Sequence, residues 1–334
     1  MAAAVVAAAV LPATHAIALD NDPTTGTDPN ATYVAVGDSY GAGAGIFPTQ
    51  LAGENHGVGC ARNYYNYPKV LAHKMGWTLN DATCSAATIK NAWSVKQYGS
   101  IDPQKSRITD KTKYVTFQFG GNDSTLAITV KNCALDALGA RRTMPGYKPL
   151  PSSPEKTPCK DAVESGEWTD MSNNLVNYFH LDLDTMRTNL NTALQDIHAI
   201  APEAKVAIVG YPAVIPEDVT ECRKPGNSNL GGIKDGDLVY FRAKFQEVNA
   251  AIAQVAENHS GYATFVDTYA PFKGHEACKS WPKGQNDVQE GAWVAGIPAT
   301  VPGVEQKIWA AAHPNQLGHR KIAQLIADAW SAKK

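Results

Sequence analysis

Tyr33-Val34-Ala35-Val36-Gly37-Asp38-Ser39-Tyr40-Gly41 decides the fold. An apolar, β-branched run stops abruptly at a glycine and leaves a single serine at the tip. The run reads as a buried strand and the glycines as a tight turn beyond it. Packing pins the backbone there while the hydroxyl stands clear, which is what a nucleophile requires. Farther along, Phe119-Gly120-Gly121-Asn122-Asp123 is a second strand end, this time closed by glycines and a side-chain amide. Late in the chain, His313-Pro314-Asn315-Gln316-Leu317-Gly318-His319 offers two imidazoles, either of which can act as a base. The Pro314 ring favours a fixed loop position for His313.

Working outward, short strand-like runs recur at Tyr33–Val36, Tyr114–Phe119, Val206–Val209 and Ala263–Val266, with a weaker one near Trp77–Thr83. Helical periodicity separates them, over Tyr67–Met75, His180–Ile200 (ending before Pro202), Leu238–Ala256 and Gln316–Trp330. Strands alternating with helices make βαβ units. The expected fold is therefore α/β, a three-layer α/β/α arrangement around a mainly parallel five-stranded sheet. Ligands collect at the carboxyl ends of such strands, and Ser39 and Asn122 both follow carboxyl ends. Thr143–Ser172 and Val214–Asp237 read as long surface excursions, each containing a cysteine.

Composition narrows the setting. The chain has 334 residues and a net charge of -2, with no basic tract, so nucleic acid and anionic membranes are poor partners. Residues 1–18 are small and apolar, and Ala16-Ile17-Ala18 fits signal cleavage, so 1–18 is expected to be a signal peptide. Residues 19–30 read as a flexible lead-in and 31–334 as a single catalytic domain. The mature portion, about 310 residues, can bury a large core. No later run reaches the roughly 20 apolar residues of a spanning helix, so stable membrane insertion is not expected. Six cysteines, Cys60, Cys84, Cys133, Cys159, Cys222 and Cys278, contain no C-x-x-C pair. An even count behind a signal favours three disulfides in a secreted protein, with the connectivity left open by spacing. Asn30-Ala31-Thr32 and Asn258-His259-Ser260 are glycosylation sequons. The remaining histidines lack paired metal spacing, and no metal or cofactor is expected.

Gly37-x-Ser39-x-Gly41 also satisfies the nucleophile-elbow pattern of α/β-hydrolases. Its position argues against that fold, because an elbow follows several earlier strands and here only one precedes it. The alternatives are a serine that merely caps a helix, or a nucleotide loop built on Gly41, Gly43 and Gly45. The second lacks both the G-x-G-x-x-G spacing and a following lysine.

Taken together, Gly37-Asp38-Ser39, Gly120-Gly121-Asn122-Asp123 and His313-Pro314…Gly318-His319 resemble the blocks of the GDSL, or SGNH, hydrolase family, in order along nearly the whole mature chain. Cys60-Ala61-Arg62-Asn63 with Tyr67-Pro68, and Cys84-Ser85-Ala86-Ala87-Thr88, are similar to its secreted three-disulfide esterases and lipases. The resemblance implies a flavodoxin-like sheet, Ser39 as nucleophile, His313 as general base and His319 as a structural residue. It implies an oxyanion hole from the Ser39 N–H, the Ala86 N–H and the Asn122 side chain. Ala86 stands where the family usually has glycine. The cysteines are implied to pair in order, as Cys60–Cys84, Cys133–Cys159 and Cys222–Cys278.

One departure concerns the base. The family usually carries an aspartate three residues before the histidine, and here Ala310 occupies that position. The expectation is that the Ala310 carbonyl orients His313, with Asp267 as the competing acid. The expected function is hydrolysis of small-molecule or lipid carboxylic esters by a monomeric secreted enzyme. Ile46, Phe47, Pro48 and Leu51 are candidates for an acyl-binding wall. Carbohydrate acetylesterase, phospholipase A and, from another class, a non-catalytic secreted binding protein are the alternatives.

Overall fold

A computed structural model describes residues 28, 30–46, 60–139, 149–153, 155–166, 183–225, 227, 230–279, 291–296 and 311–332. Residues 1–18, most of the lead-in, Ala310, Phe47, Pro48 and Leu51 lie outside these. Five strands form one sheet: β1 (Tyr33–Gly37), β2 (Leu79–Asp81), β3 (Tyr114–Gln118), β4 (Lys205–Val209) and β5 (Ala263–Val266). Their order is β2-β1-β3-β4-β5, and every pairing is parallel. A parallel sheet must be covered on both faces, and β1 is buried at every position. Gly37 pairs with Gln118, so β1 and β3 end level and their following turns lie side by side.

The helices are α1 (Ser39–Ala42), α2 (Tyr67–Met75), α3 (Ile89–Trp93), α4 (Leu126–Ala137), α5 (Pro158–Glu164), α6 (Leu183–Ile200), α7 (Asp235–Asn258) and α8 (Gln316–Ser331). Each long helix presents one apolar stripe at helical spacing, such as Met186, Leu190, Leu194 and Ile197 on α6, or Ile322, Ile326 and Trp330 on α8. Local chemistry sets the boundaries of α2. Asn66 accepts from the Lys69 N–H at its start, Pro68 sits in the first turn, and Gly76 ends it at φ 66°.

The described parts of the two expected surface excursions are more ordered than their composition indicates. The first contains α5, with Cys159, Ala162 and Val163 buried. The second contains a 3₁₀ turn over Val219–Arg223, buried Leu230 and Ile233, and the start of α7. Disulfides explain why polar sequence stays packed there. Cys133–Cys159 ties α5 to α4, and Cys222–Cys278 ties the segment after β4 to the segment after β5. Cys60–Cys84 ties the approach to α2 to the loop after β2.

At the amino end of the sheet, Trp77 stacks on Tyr114 at 3.8 Å, and Trp330 leans against both Tyr114 and Tyr33. This aromatic plug lies at the opposite end of the strands from Ser39. Trp330→Ala is expected to cost about 3–5 kcal/mol in a urea unfolding series, as for other large-to-small changes at buried tryptophan. Because the cavity opens far from the turns, the pH profile of catalysis should keep its midpoint.

Candidate active site

The turn after β1 is held by side chains where the sheet has run out of partners. Gly37 donates its N–H to Gln104 Oε1 at 2.8 Å, and its carbonyl accepts from Gln104 Nε2 at 3.0 Å and from the Cys84 N–H at 3.0 Å. Glycine suits that position, because a Cβ would lie a tight 3.1 Å from the Gln118 carbonyl. Asp38 then caps α1 by accepting from the Tyr40 N–H at 2.9 Å. Ser39 follows as the first residue of α1. Its backbone N–H has no hydrogen-bond acceptor among the described residues.

Three turns meet around it. Tyr211, at the carboxyl end of β4, donates its hydroxyl hydrogen to Asp38 Oδ2 at 2.6 Å and accepts from the Gly121 N–H at 2.8 Å. One phenol thereby joins the serine turn to the asparagine turn. Tyr211 is itself held by Asn249, which accepts from its N–H at 2.7 Å and donates to its carbonyl at 2.8 Å. Asn122 follows Gly121 and donates one amide hydrogen to the Ala87 carbonyl at 3.0 Å, leaving the other for a ligand. Asp123 Oδ1 accepts from the Ile89 N–H at 2.9 Å, at the start of α3. Asp38 and Asp123 are thus cap and turn groups. Burial raises the Asp38 carboxyl to about 7 and the Asp123 carboxyl to about 6, despite these donors.

His313 reaches Ser39 from the far end of the sequence. Its Nε2 lies 2.7 Å from Ser39 Oγ and its Nδ1 lies 2.9 Å from the Ala311 carbonyl. A carbonyl only accepts, so Nδ1 carries the proton and Nε2 turns its lone pair toward the serine hydroxyl. This carbonyl is one residue later than the expected one, that of Ala310, which lies outside the described residues. The shift follows from Ala312, whose φ of 65° folds the chain back between carbonyl and ring. The Tyr40 hydroxyl donates to the Ala312 carbonyl at 2.6 Å, and the Tyr40 ring lies 4.6 Å from the imidazole.

A strap at 292–295 completes the support. Ala295 accepts from the Ala312 N–H at 2.7 Å and donates to the His313 carbonyl at 2.8 Å. The Trp293 carbonyl accepts from the Asn315 N–H at 2.9 Å. Gly45 packs so closely beneath that a Cβ would lie 2.3 Å from the Pro314 carbonyl. Asp267, the competing acid, is exposed and accepts from the Tyr269 and Ala270 N–H groups; it makes no contact with His313 among the described residues. His319 is fully buried, with Nδ1 accepting from the Tyr67 N–H at 3.0 Å, and burial lowers its pKa to about 3. It holds the start of α2, and only His313 of the two histidines meets Ser39.

The third expected donor, Ala86, lies in the loop after β2 at φ 62°. That loop touches both neighbours, through the Cys84 N–H on the Gly37 carbonyl and the Ala87 carbonyl on Asn122. Among the described residues, one cluster has metal-ligand types, Cys133, Cys159 and Asp237. Its cysteines are disulfide-bonded, and Asp237 accepts from the Cys159 and Lys160 N–H groups. Neither thiolate is therefore available to a metal. Tyr40, Tyr211, Gln104 and the strap at 292–295 were not singled out by the sequence. Tyr211 follows a predicted strand end, which is the one signal that pointed to it.

The family model for GDSL-like lipases and acylhydrolases matches residues 35–321. The chain belongs to that family. It is a carboxylic ester hydrolase. A relative named Lipase 2 from Streptomyces coelicolor is 30% identical over 90% of this chain and 86% of its own. A Streptomyces scabiei protein named Esterase is 28% identical over the same shares. The fold is similar to a crystal structure of phospholipase A1 from Streptomyces albidoflavus, with a TM-score of 0.56 and 22% identity over 89% of this chain and 98% of that one. It is also similar to an extracellular lipase from Streptomyces rimosus, with a TM-score of 0.57 and 22% identity over the same shares.

The raised Asp38 carboxyl gives a pH prediction for this ester hydrolase. Its folded pKa, about 7, exceeds the unfolded value of 3.8, so the folded state binds the extra proton in between. The stability that this group contributes is present at low pH and is lost as pH rises from about 4 to about 7. Relative to Asp38→Asn, which does not titrate, the wild type should lose stability over that window and level off above it. Chemical unfolding of both proteins at several pH values reads the difference, and a flat difference would count against the burial assignment.

Proposed function

We propose that the protein cleaves carboxylic esters by a Ser39–His313 dyad propped by backbone. The observation that carries this reading is the 2.7 Å approach of His313 Nε2 to Ser39 Oγ, with Nδ1 engaged by a carbonyl. The Ser39 oxygen attacks the ester carbonyl while His313 Nε2 takes the hydroxyl proton. The resulting oxyanion is received by the Ser39 N–H, the Ala86 N–H and the free amide hydrogen of Asn122, each donor worth on the order of 3 kcal/mol in the transition state. Collapse breaks the bond to the alcohol, which leaves with the proton from His313. Water then repeats the sequence on the acyl-enzyme and restores Ser39. A carbonyl on Nδ1 fixes the tautomer without supplying the negative charge that an aspartate brings.

The substrate reading is an ester with a lipid-like acyl chain, supported by buried Ile46 beside the serine turn and by the curated relatives named lipase and esterase. Export is supported by three disulfides, which persist in oxidising compartments, and by the leader composition of residues 1–18. The enzyme acts as a single hydrolase domain on a small or lipid ester.

Ser39→Ala should lower kcat on p-nitrophenyl butyrate by more than about 10³-fold, and a fluorophosphonate should label the wild type at Ser39. Asp267→Asn should keep kcat within about threefold, as at other exposed positions. A loss of several orders in the folded variant would replace the dyad by a triad. A p-nitrophenyl series from acetate to palmitate should favour chains longer than acetate. A sharp preference for acetate would transfer the reading to a carbohydrate acetylesterase.

A further inference from the structure

Residues 84–87 form a tight turn in which successive N–H groups have different fates. The Ser85 N–H donates to the Cys60 carbonyl at 2.9 Å and the Ala87 N–H to the Cys84 carbonyl at 3.1 Å. The Ala86 N–H between them has no acceptor among the described residues. The Cys84 to Ala87 bond, Ala86 at φ 62° and Ser85 outside the positive-φ residues together make a type II turn. Such turns prefer glycine at the third position, because an L-residue there is strained. Turning the Ser85–Ala86 peptide over converts type II to type I and moves Ala86 to a relaxed negative φ. It also replaces the Ala86 N–H by the Ser85 carbonyl on the same side.

The turn has two restraints against that flip. The Ser85 carbonyl accepts from Gln97 Nε2 at 2.7 Å and from the Tyr98 hydroxyl at 2.9 Å. In a planar trans peptide the C=O and N–H point in opposite directions, so two donors on the carbonyl set the direction of the Ala86 N–H. Both donors come from one rigid piece. Gln97 and Ile101 bridge as antiparallel partners around a turn in which the Ser100 N–H donates to the Gln97 carbonyl at 3.3 Å. Tyr98 at φ 51° and Gly99 at φ 74° make it type I′.

Tyrosine is a poor residue for the first of these positions, which asparagine, aspartate or glycine normally fills. Tyr98 is also 56% exposed, so burial returns little for the strain. Its hydroxyl contact with Ser85 is what the position gains. We propose that Gln97 and Tyr98 are positioning residues that latch the Ser85–Ala86 peptide with its N–H presented to the reacting oxygen. The proposal rests on the assignment of Ala86 as an oxyanion donor.

With the latch removed in Gln97→Ala/Tyr98→Phe, kcat on p-nitrophenyl butyrate should fall up to about 10²-fold, as when one oxyanion donor is lost. KM and the midpoint of the pH profile should hold, because His313 is untouched. Adding Ala86→Gly removes the strain that drives the flip, so it should raise kcat in the latch-less background by roughly 5- to 30-fold more than in the wild type. A second variant separates positioning from folding. Tyr98→Asn suits the type I′ turn better, so its melting temperature should hold or rise while kcat falls roughly two- to tenfold. A Gln97→Ala/Tyr98→Phe variant within threefold of wild-type kcat, an unchanged kcat in Tyr98→Asn, or equal gains from Ala86→Gly in both backgrounds would overturn the latch. If Ser39→Ala keeps full hydrolysis, the dyad reading fails. The latch is then decided by a crystal structure of the double variant. A peptide turned over at 85–86 supports it, and one unmoved overturns it.

Discussion

The catalytic edge is governed by the backbone groups that a parallel sheet leaves unpaired where its strands stop. Buried N–H and C=O groups must find partners, and at this edge side chains supply many of them. Gln104 serves both groups of Gly37, Tyr211 takes the Gly121 N–H, and Asn249 serves both groups of Tyr211. Gln118 and Thr268 both donate to the Gly210 carbonyl. Each bond fixes a turn that would otherwise have several conformations, and the turns so fixed carry Ser39 and Asn122. Satisfying the backbone and placing the chemistry are here the same act.

His313, the proposed base, is supported differently, because it arrives on a loop and not on a strand. Its position is transmitted through backbone contacts from a covalent anchor. Cys222–Cys278 fixes the segment after β5 to the one after β4, and beside it the Ala277 N–H donates to the Val214 carbonyl across the same two segments. The Trp293 N–H donates to the His275 carbonyl, and the His275 ring stacks on Trp293 at 3.6 Å. Trp293 and Ala295 then grip both flanks of His313. A carboxylate on Nδ1 would orient the ring directly. In its absence the strap, the Tyr40 hydroxyl and the left-handed Ala312 share that task.

Four strands were readable from sequence because each is a short β-branched or aromatic run of strand length, whereas β2, Leu79-Asn80-Asp81, has no such residue and gave only the weaker signal near Trp77–Thr83. The candidate site was legible because Ser39, Asn122 and His313 fall in motifs whose order is informative. What escaped reading depends on three-dimensional neighbours. α4 carries buried Thr129, Asn132 and Asp136 on its inner face, which blurs its periodicity. α5 sits in a Pro- and Lys-rich stretch, and its contact with the core relies on a disulfide. The left-handed Ala86, Tyr98 and Ala312 have no local signature, since the residues that usually mark such positions are glycine and asparagine. Tyr40 and Tyr211 look like ordinary core aromatics until their hydroxyl partners are known.

The contact between Ser39 and His313 spans 274 residues of sequence. A chain still being made, complete through β5, already holds Ser39 and the turns beside it but not His313. Helix α8, which follows His313, locks the loop by placing His319 against the Tyr67 N–H, 252 residues back. Contacts of such separation form late in folding, after the local ones that they close over. On the proposed dyad, hydrolytic competence is therefore a property of the finished molecule, and a chain that has not yet closed this contact is chemically silent toward the esters around it.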